Sequence, residues 1–397
     1  YFFIFNHLFW FKIIVYNNNM IKKTLFFFLI TFFTTKSYSN TLHYGGFSFG
    51  SLIPEKTYTY KLQKKSEDKF FINKLILEST KKINNNSFKI SYDLLESDIS
   101  EDDQNVLVFA LDNEYINFIS IPSDNLTRTD IVLNFNIIIF NAKSNFLVAS
   151  IPLEITKTIN SQKNLTKNQI IKELKKMYLN EVSPRYKMLL DNFTFKSKYN
   201  NRIGITKVIF EDNAKNYIEK SFDKKDIFIK NRFAKSFGSF LAFNNNIAVV
   251  PYKEDRTSNT IRLTYQDTTK DIKIPSPDYH IYLTIRGFKS VLFKESNIDS
   301  QWIYGSFVNI EIIQPEMEKV YFNENLKNAI NIEFSKRAIE NKSSFEWIFF
   351  NDSLKMLFDQ FSLQTIKLDK KWLKSASKGK KMSQKFKKLN EIYIKCK

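Results

Sequence analysis

The sequence is poor in cysteine, histidine, glycine, proline and arginine, and each shortage removes a class of function. Its single cysteine, Cys396, cannot form an intramolecular disulfide, so an exported fold would rest on packing alone. Three histidines, among them His43 and His280, cannot form a spaced His/Cys metal cluster with that cysteine, and no metal or other cofactor is expected. Only eight glycines are present, and those from Gly204 onward are isolated. No glycine-rich loop can therefore cradle a phosphate, which sets aside ATP-driven and dinucleotide chemistry. Eight arginines stand against 52 lysines, whereas a nucleic-acid protein would place arginines to grip phosphate; no specific nucleic-acid partner is expected.

What is abundant is Lys, Phe, Ile, Asn and Tyr, the set that AT-rich codons favour. With 397 residues, 43% of them apolar, the chain can build two domains of about 150 residues each. The net charge of +19 is unevenly placed. Residues 1–39 carry four lysines and no acid, and residues 365–397 carry twelve lysines against Asp369 and Glu391. The basicity belongs to the ends.

Residues 20–39 have the order of a secretory signal peptide: Lys22 and Lys23, an apolar run over 25–33, then small residues at Ser37 and Ser39. Export to the periplasm or outer envelope is the expectation. Residues 1–19, which lack an initiating Met, read as upstream in-frame translation. The rival reading makes residues 1–15 part of a membrane anchor, although Lys12 interrupts a run shorter than the ~20 residues of a span.

Along the body, residues 57–63 and 87–93 have strand character and flank a helix over 67–83. "VLVFAL", residues 106–111, reads as a buried strand after the acidic loop 96–105. "TDIVLNFNIIIF" and "FLVASIPLEI" alternate in phase around the turn "NAKSN" and predict a hairpin, with Pro152 placing the return strand at an edge or limiting its pairing to part of its length. Thr166 and Gln169 make a capping box for a helix that Ser183-Pro184 should break. The second half repeats the layout: a strand over 202–210, a helix over 229–243, a buried strand over 247–252 and a short strand over 261–265. A long hairpin follows, "YHIYLTIRGFKSVLF" with "QWIYGSFVNIEII", then a last strand over 320–322 and a helix over 344–361. In the helix at 229–243, Phe233, Phe237, Phe240 and Leu241 form one stripe, and Lys235, Ser236 and Ser239 fall largely outside it. The predicted fold is α+β or α/β: two tandem domains, 40–198 and 199–362, each a mixed sheet with a long antiparallel hairpin packed by helices, then a lysine-rich tail over 363–397.

Three patterns bear on chemistry. Gly46-Phe47-Ser48-Phe49-Gly50 matches the G-x-S-x-G nucleophile elbow, but it lacks the preceding strand and following helix, and it reads instead as a flexible N-terminal segment. Asp98, Ser100, Asp102 and Asp103 have calcium-loop spacing without the turn glycine or the distal glutamate, so a solvated acidic loop is expected. The tail interleaves Lys370, Lys371, Lys374, Lys378, Lys380, Lys381, Lys385, Lys387 and Lys388 with Trp372, Leu373, Met382, Phe386, Leu389 and Ile392. It is either a basic amphipathic segment for anionic lipid or another polyanion, or a disordered solvated terminus.

Residues 202–361 resemble the α/β envelope domain of the curli-export lipoprotein family and the N-terminal domain of the Tol-system propeller protein. The likeness lies in the order "GITKVIF", the helix "FAKSFGSFLAFNNN", "IAVVPY", and a hairpin returning through "WIYGSFVNIEII". The lipid-bearing cysteine and the pore-forming insertions of the curli-export family have no counterpart here, so channel function does not follow. The first half, through "VLVFAL" and "NIIIFNAKSNFLVASIPL", resembles uncharacterised exported Gram-negative proteins. The resemblance implies a non-enzymatic role in envelope assembly or scaffolding, with other envelope proteins as partners. The alternatives are an envelope hydrolase or a membrane-surface or polyanion binder acting through the tail. A polar cleft with convergent Asp, Glu or His would speak for catalysis, and a shallow apolar groove for binding.

Overall fold

The computed structural model describes residues 40–50, 53–65, 70–93, 104–121, 126–221, 226–254, 259–265, 268–335 and 346–397. The predicted leader and the oxygens of Asp98, Ser100, Asp102 and Asp103 lie outside them. Residues 40–397 form one compact unit containing two mixed sheets.

The first half runs β1 (Thr41–Phe49), α1 (Tyr58–Lys65), α2 (Phe71–Lys81), β2 (Lys89–Ser91), β3 (Asn105–Ile121), β4 (Leu126–Asn141) and β5 (Leu147–Ser161). α3 (Lys167–Met177) and α4 (Ser183–Asn192) then pack on the sheet. β1 pairs in parallel with both β2 and β3, and β3, β4 and β5 form an antiparallel meander. The second half repeats this order: β6 (Ile203–Phe210), α5 (Asp212–Ser221), α6 (Asp226–Asn245), the short β7 (Val249–Val250), then β10 (Tyr279–Glu295), β11 (Asp299–Gln314) and β12 (Lys319–Ser335). β6 pairs in parallel with β7 and β10, and β10, β11 and β12 form the second meander. The helix α7 (Glu346–Leu363) follows it. One piece crosses from the second half to the first: β8 (Thr260–Thr264) and β9 (Thr269–Lys273) join the first sheet, where Thr264 pairs with Phe49. Ile261, Leu263 and Ile272 then cover Val106, Val108 and Ile138.

Both predicted hairpins form, because their period-2 alternation coincides with one buried face. Pro152 sits on β5, the last strand of its sheet, where its missing N–H interrupts no ladder. The capping box at Thr166 and Gln169 is present.

Several local expectations are corrected. Residues 58–65 are helical instead of a strand. Glu114 on β3 accepts the Tyr58 N–H at 2.5 Å and the Thr59 N–H at 3.0 Å, capping α1 from 55 residues away. The G-x-S-x-G segment is neither elbow nor flexible end but the bulged strand β1. Gly46 carries a φ of +80° at the bulge, a Cβ on Gly45 would lie 2.6 Å from Val106, and Ser48 is buried. Pro184 does not break its helix. A π turn, Tyr178–Val182, precedes it and shifts the carbonyl register that the proline ring would otherwise meet. Of the predicted strand 247–252 only Val249–Val250 pairs, whereas the strand predicted at 320–322 extends to Ser335.

α6 is buried on more sides than its apolar stripe predicts. Phe237 lies 5.0 Å from Phe358 and 5.5 Å from Phe361, and Phe233 lies 5.9 Å from Phe210. Ser236 and Ser239, expected outside the stripe, are also buried, because that side of the helix faces the first sheet. A Cβ at Gly238 would lie 3.4 Å from Ile205, 3.5 Å from Pro152 and 3.7 Å from Val249. The helix thus spans the seam where β5 of one sheet approaches β6 and β7 of the other.

The reading of the tail as disordered is also corrected. Asp369 accepts the N–H groups of Lys371 and Trp372 and caps α8 (Lys370–Ala376), and α9 (Met382–Lys395) follows. Met382, Phe386, Leu389, Ile392 and Tyr393 repeat at helical spacing and are buried, with the Phe386 ring 5.3 Å from Phe322 and 5.2 Å from Phe361. Among the described residues no helix is long and apolar enough to cross a membrane.

Cys396, at the end of α9, is buried, and that burial, reinforced by the Asp278 carboxylate, pushes its thiol up to about 12. The expected outcome is that a thiol reagent at pH 8 labels the native chain far more slowly than the urea-unfolded chain. Equal labelling rates would show that α9 is not docked.

Candidate functional site

Two features stand out: a charged seam between the halves, which encloses a cleft, and a lysine-rich helical face. The seam begins in the strands. β3 has a register shift between Leu111 and Asn113, and this bulge breaks the alternation at Asp112. The Asp112 carboxylate takes Lys235 of α6 at 2.6 Å and the Asn136 amide at 3.3 Å. Gly50 is required beside it, since a Cβ there would lie 2.9 Å from Asp112 Oδ1.

On β5, Glu154 pairs with Lys355 of α7 at 2.6 Å, and its N–H donates to Ser239 Oγ at 2.8 Å. On β4, Arg128 holds Asp130 at 2.8 Å and reaches Asp352 of α7 at 3.6 Å. Burial raises the Asp352 carboxyl above its ordinary range, and Arg128 opposes the shift. Three ion pairs therefore cross from strands of the first half to helices of the second.

Beside Lys235 lies a cleft of about 360 Å³. Asp112, Tyr115 and Asn136 line it from the first sheet, Phe228 and Lys235 from α6, and the segment after β7 contributes Tyr252 and Glu254. Pro251 to Glu254 bring the cleft to the carboxyl end of β7. Tyr115 and Phe228 meet edge to face at 4.9 Å. Lys230 donates to Glu254 at 2.7 Å, and the Tyr252 hydroxyl donates to the same carboxylate.

The cleft is polar, the feature that would speak for catalysis, and it has no histidine in its lining. Each of its carboxylates is already engaged by an ammonium group, the geometry of structural pairing. His280 lies in β10 and Ser48 in β1, on different sheets, so the predicted segments do not bring them together. Among the described residues no group of three or more His, Cys, Asp or Glu is placed to hold a metal.

The lysines predicted for anionic contact lie on α8, on α9 and on the loop between them. Lys370, Lys371, Lys374, Lys378, Lys380, Lys381, Lys387 and Lys388 are exposed. Lys385 differs: it is half-buried and donates to Glu324 of β12. The apolar side of both helices is committed to the core, so the lysines face outward from a fixed platform.

The seam charges escaped the sequence reading. Asp130, Asn134 and Asn136 alternate with the apolar face of β4, yet all three are buried. The available signal was asparagine itself, a poor strand former set twice inside a strongly apolar strand.

No protein-family model matches the sequence, and no curated protein matches it. Among solved structures, one chain described as a neuraminyllactose-binding hemagglutinin homolog from Helicobacter pylori aligns over 44% of this chain and 90% of its own, at 11% identity and a TM-score of 0.25. A likeness at that score supports no statement about this chain.

Lys235→Met leaves Asp112 without its ammonium partner at a seam where the two side chains are only 17% and 11% exposed. The expected cost is about 2–3 kcal/mol in urea unfolding, below the penalty for a fully buried pair, and Asp112→Asn in the same chain recovers most of it. An unchanged midpoint for the single variant would mean that the pair does not stabilise the seam.

Proposed function

We propose that the protein is an exported binding protein of the cell envelope that works by non-covalent contact, with the face of α8 and α9 docking on an anionic envelope component. The observation that carries this reading is the platform itself: eight exposed lysines held in fixed positions by a buried apolar stripe. At an anionic surface each engaged lysine contributes about 1 kcal/mol, so six together correspond to an affinity of roughly tens of micromolar. The leader pattern at residues 20–39 supports export. The resemblance of residues 202–361 to envelope domains supports a scaffolding role alongside other envelope proteins.

A second reading, an envelope hydrolase, draws support from the polar cleft at the seam. It requires turnover of an ester or glycan that Asp112→Asn or Glu254→Gln abolishes.

The test of the first reading replaces Lys370, Lys371, Lys374, Lys378, Lys380 and Lys381 with Gln. The parent chain is expected to sediment with vesicles containing anionic lipid and to be retained on a polyglutamate resin, with both interactions lost as salt rises. The variant should bind each at least ~10-fold more weakly with its melting temperature unchanged. Equal binding by the two chains would remove the helical face from the function.

A further inference from the structure

We propose that the trough at the outer edge of the second sheet, beside α8 and α9, binds an acidic polysaccharide, a chain that carries acid groups and neighbouring hydroxyls together. The inference rests on reading α8 and α9 as an anion-contacting face and names the kind of anion.

The trough has a volume of about 540 Å³, within the range of small-ligand sites. Its floor comes from β11 and β12, the outer two strands of the sheet. Strand alternation buries Val308 and Leu326 and turns Phe307, Asn309, Asn323, Asn325 and Lys327 to the opposite face. One wall is the loop between α8 and α9, including Lys378. That wall is held in place: Glu324 of β12 accepts from both Ser377 and Lys385, and Gly379 approaches so closely that a Cβ would lie 2.3 Å from Glu324 Oε2.

Three asparagines stand at neighbouring positions of β11 and β12, Asn323 and Asn325 exposed and Asn309 half-buried. They are also held in register. The Asn309 amide nitrogen donates to Asn323 Oδ1 at 3.0 Å and to Asn325 Oδ1 at 3.1 Å, and the Asn323 amide donates to Glu311 at 3.0 Å. This row leaves Asn309 Oδ1 as an acceptor and the Asn325 amide nitrogen as a donor.

A fixed acceptor next to a fixed donor matches a pair of sugar hydroxyls, each of which both gives and receives. A lipid phosphate or a side-chain carboxylate offers acceptors only, so neither group engages the Asn309 oxygen, which then keeps its water. Lys327 and Lys378, both exposed, supply the charge for the acid groups, and the half-buried Phe307 supplies apolar surface for a sugar's C–H face. Lysines alone would suit any polyanion. Lysines beside an ordered amide row favour one that is also hydroxylated.

The experiment measures binding of the full chain to three probes of matched length: polygalacturonate, polyglutamate and dextran. Polygalacturonate is expected to bind at least ~10-fold more tightly than polyglutamate, and dextran more weakly than either. Asn309→Ala with Asn325→Ala should weaken polygalacturonate about 10-fold while changing polyglutamate less than about twofold, and the second figure also confirms that the variant is folded. Equal binding of the two acidic polymers, or equal weakening of both by the variant, overturns the polysaccharide assignment and leaves the anionic face standing. Dextran binding as tightly as polygalacturonate overturns it as well. Failure of both acidic polymers to bind overturns the anionic face together with the polysaccharide.

Discussion

The structure depends on one helix. α6 packs Phe233 and Phe237 into the second half, while Lys235, Ser236 and Ser239 meet polar groups of the first sheet. Neither sheet can close its seam edge by strand pairing, because Pro152 lacks the N–H that a further ladder on β5 would use, and β7 is only two residues long. A helix carrying Gly238 at the crossing can lie close to both edges, and it replaces the missing ladder with packing and charge. The ion pairs of Lys235, Lys355 and Arg128 all cross the same seam. These partly buried pairs lose their attraction when displaced, so they favour one relative position of the halves.

The parts of the fold that were legible in the sequence are those decided locally. The hairpins of β4 with β5 and β10 with β11, the Thr166 cap and the aromatic stripe of α6 each follow from residues within a few positions of one another. The parts that were not legible depend on distant partners. α1 is a helix because Glu114 caps it, and its own residues alternate well enough to suggest a strand. The length of β12 was hidden because its outer face is polar, and a one-sided strand of that kind resembles a loop when its partner is unknown. The tail looked disordered because lysines outnumber the apolar residues of its stripe, although the spacing of Met382, Phe386, Leu389 and Tyr393 already describes a helix face.

The candidate sites divide in the same way. The lysines were visible as charge, but their presentation on a fixed platform was not, since it depends on Phe386 finding Phe322 and Phe361. The trough was invisible, because Asn309 and Asn325 are 16 residues apart and meet only through the register of β11 with β12. The proposed binding face therefore belongs to the second sheet's outer edge. The first sheet and the seam hold that edge in position.

The central claim, that α6 and the seam charges make the two repeated halves one cooperative unit, is tested most directly by native-state hydrogen exchange. The slowest amides of β4 and of β11 are predicted to exchange with the same opening free energy, within about 1 kcal/mol, and to lose protection together. Protection in one sheet that persists after the other has opened, with opening free energies more than about 2 kcal/mol apart, would contradict it.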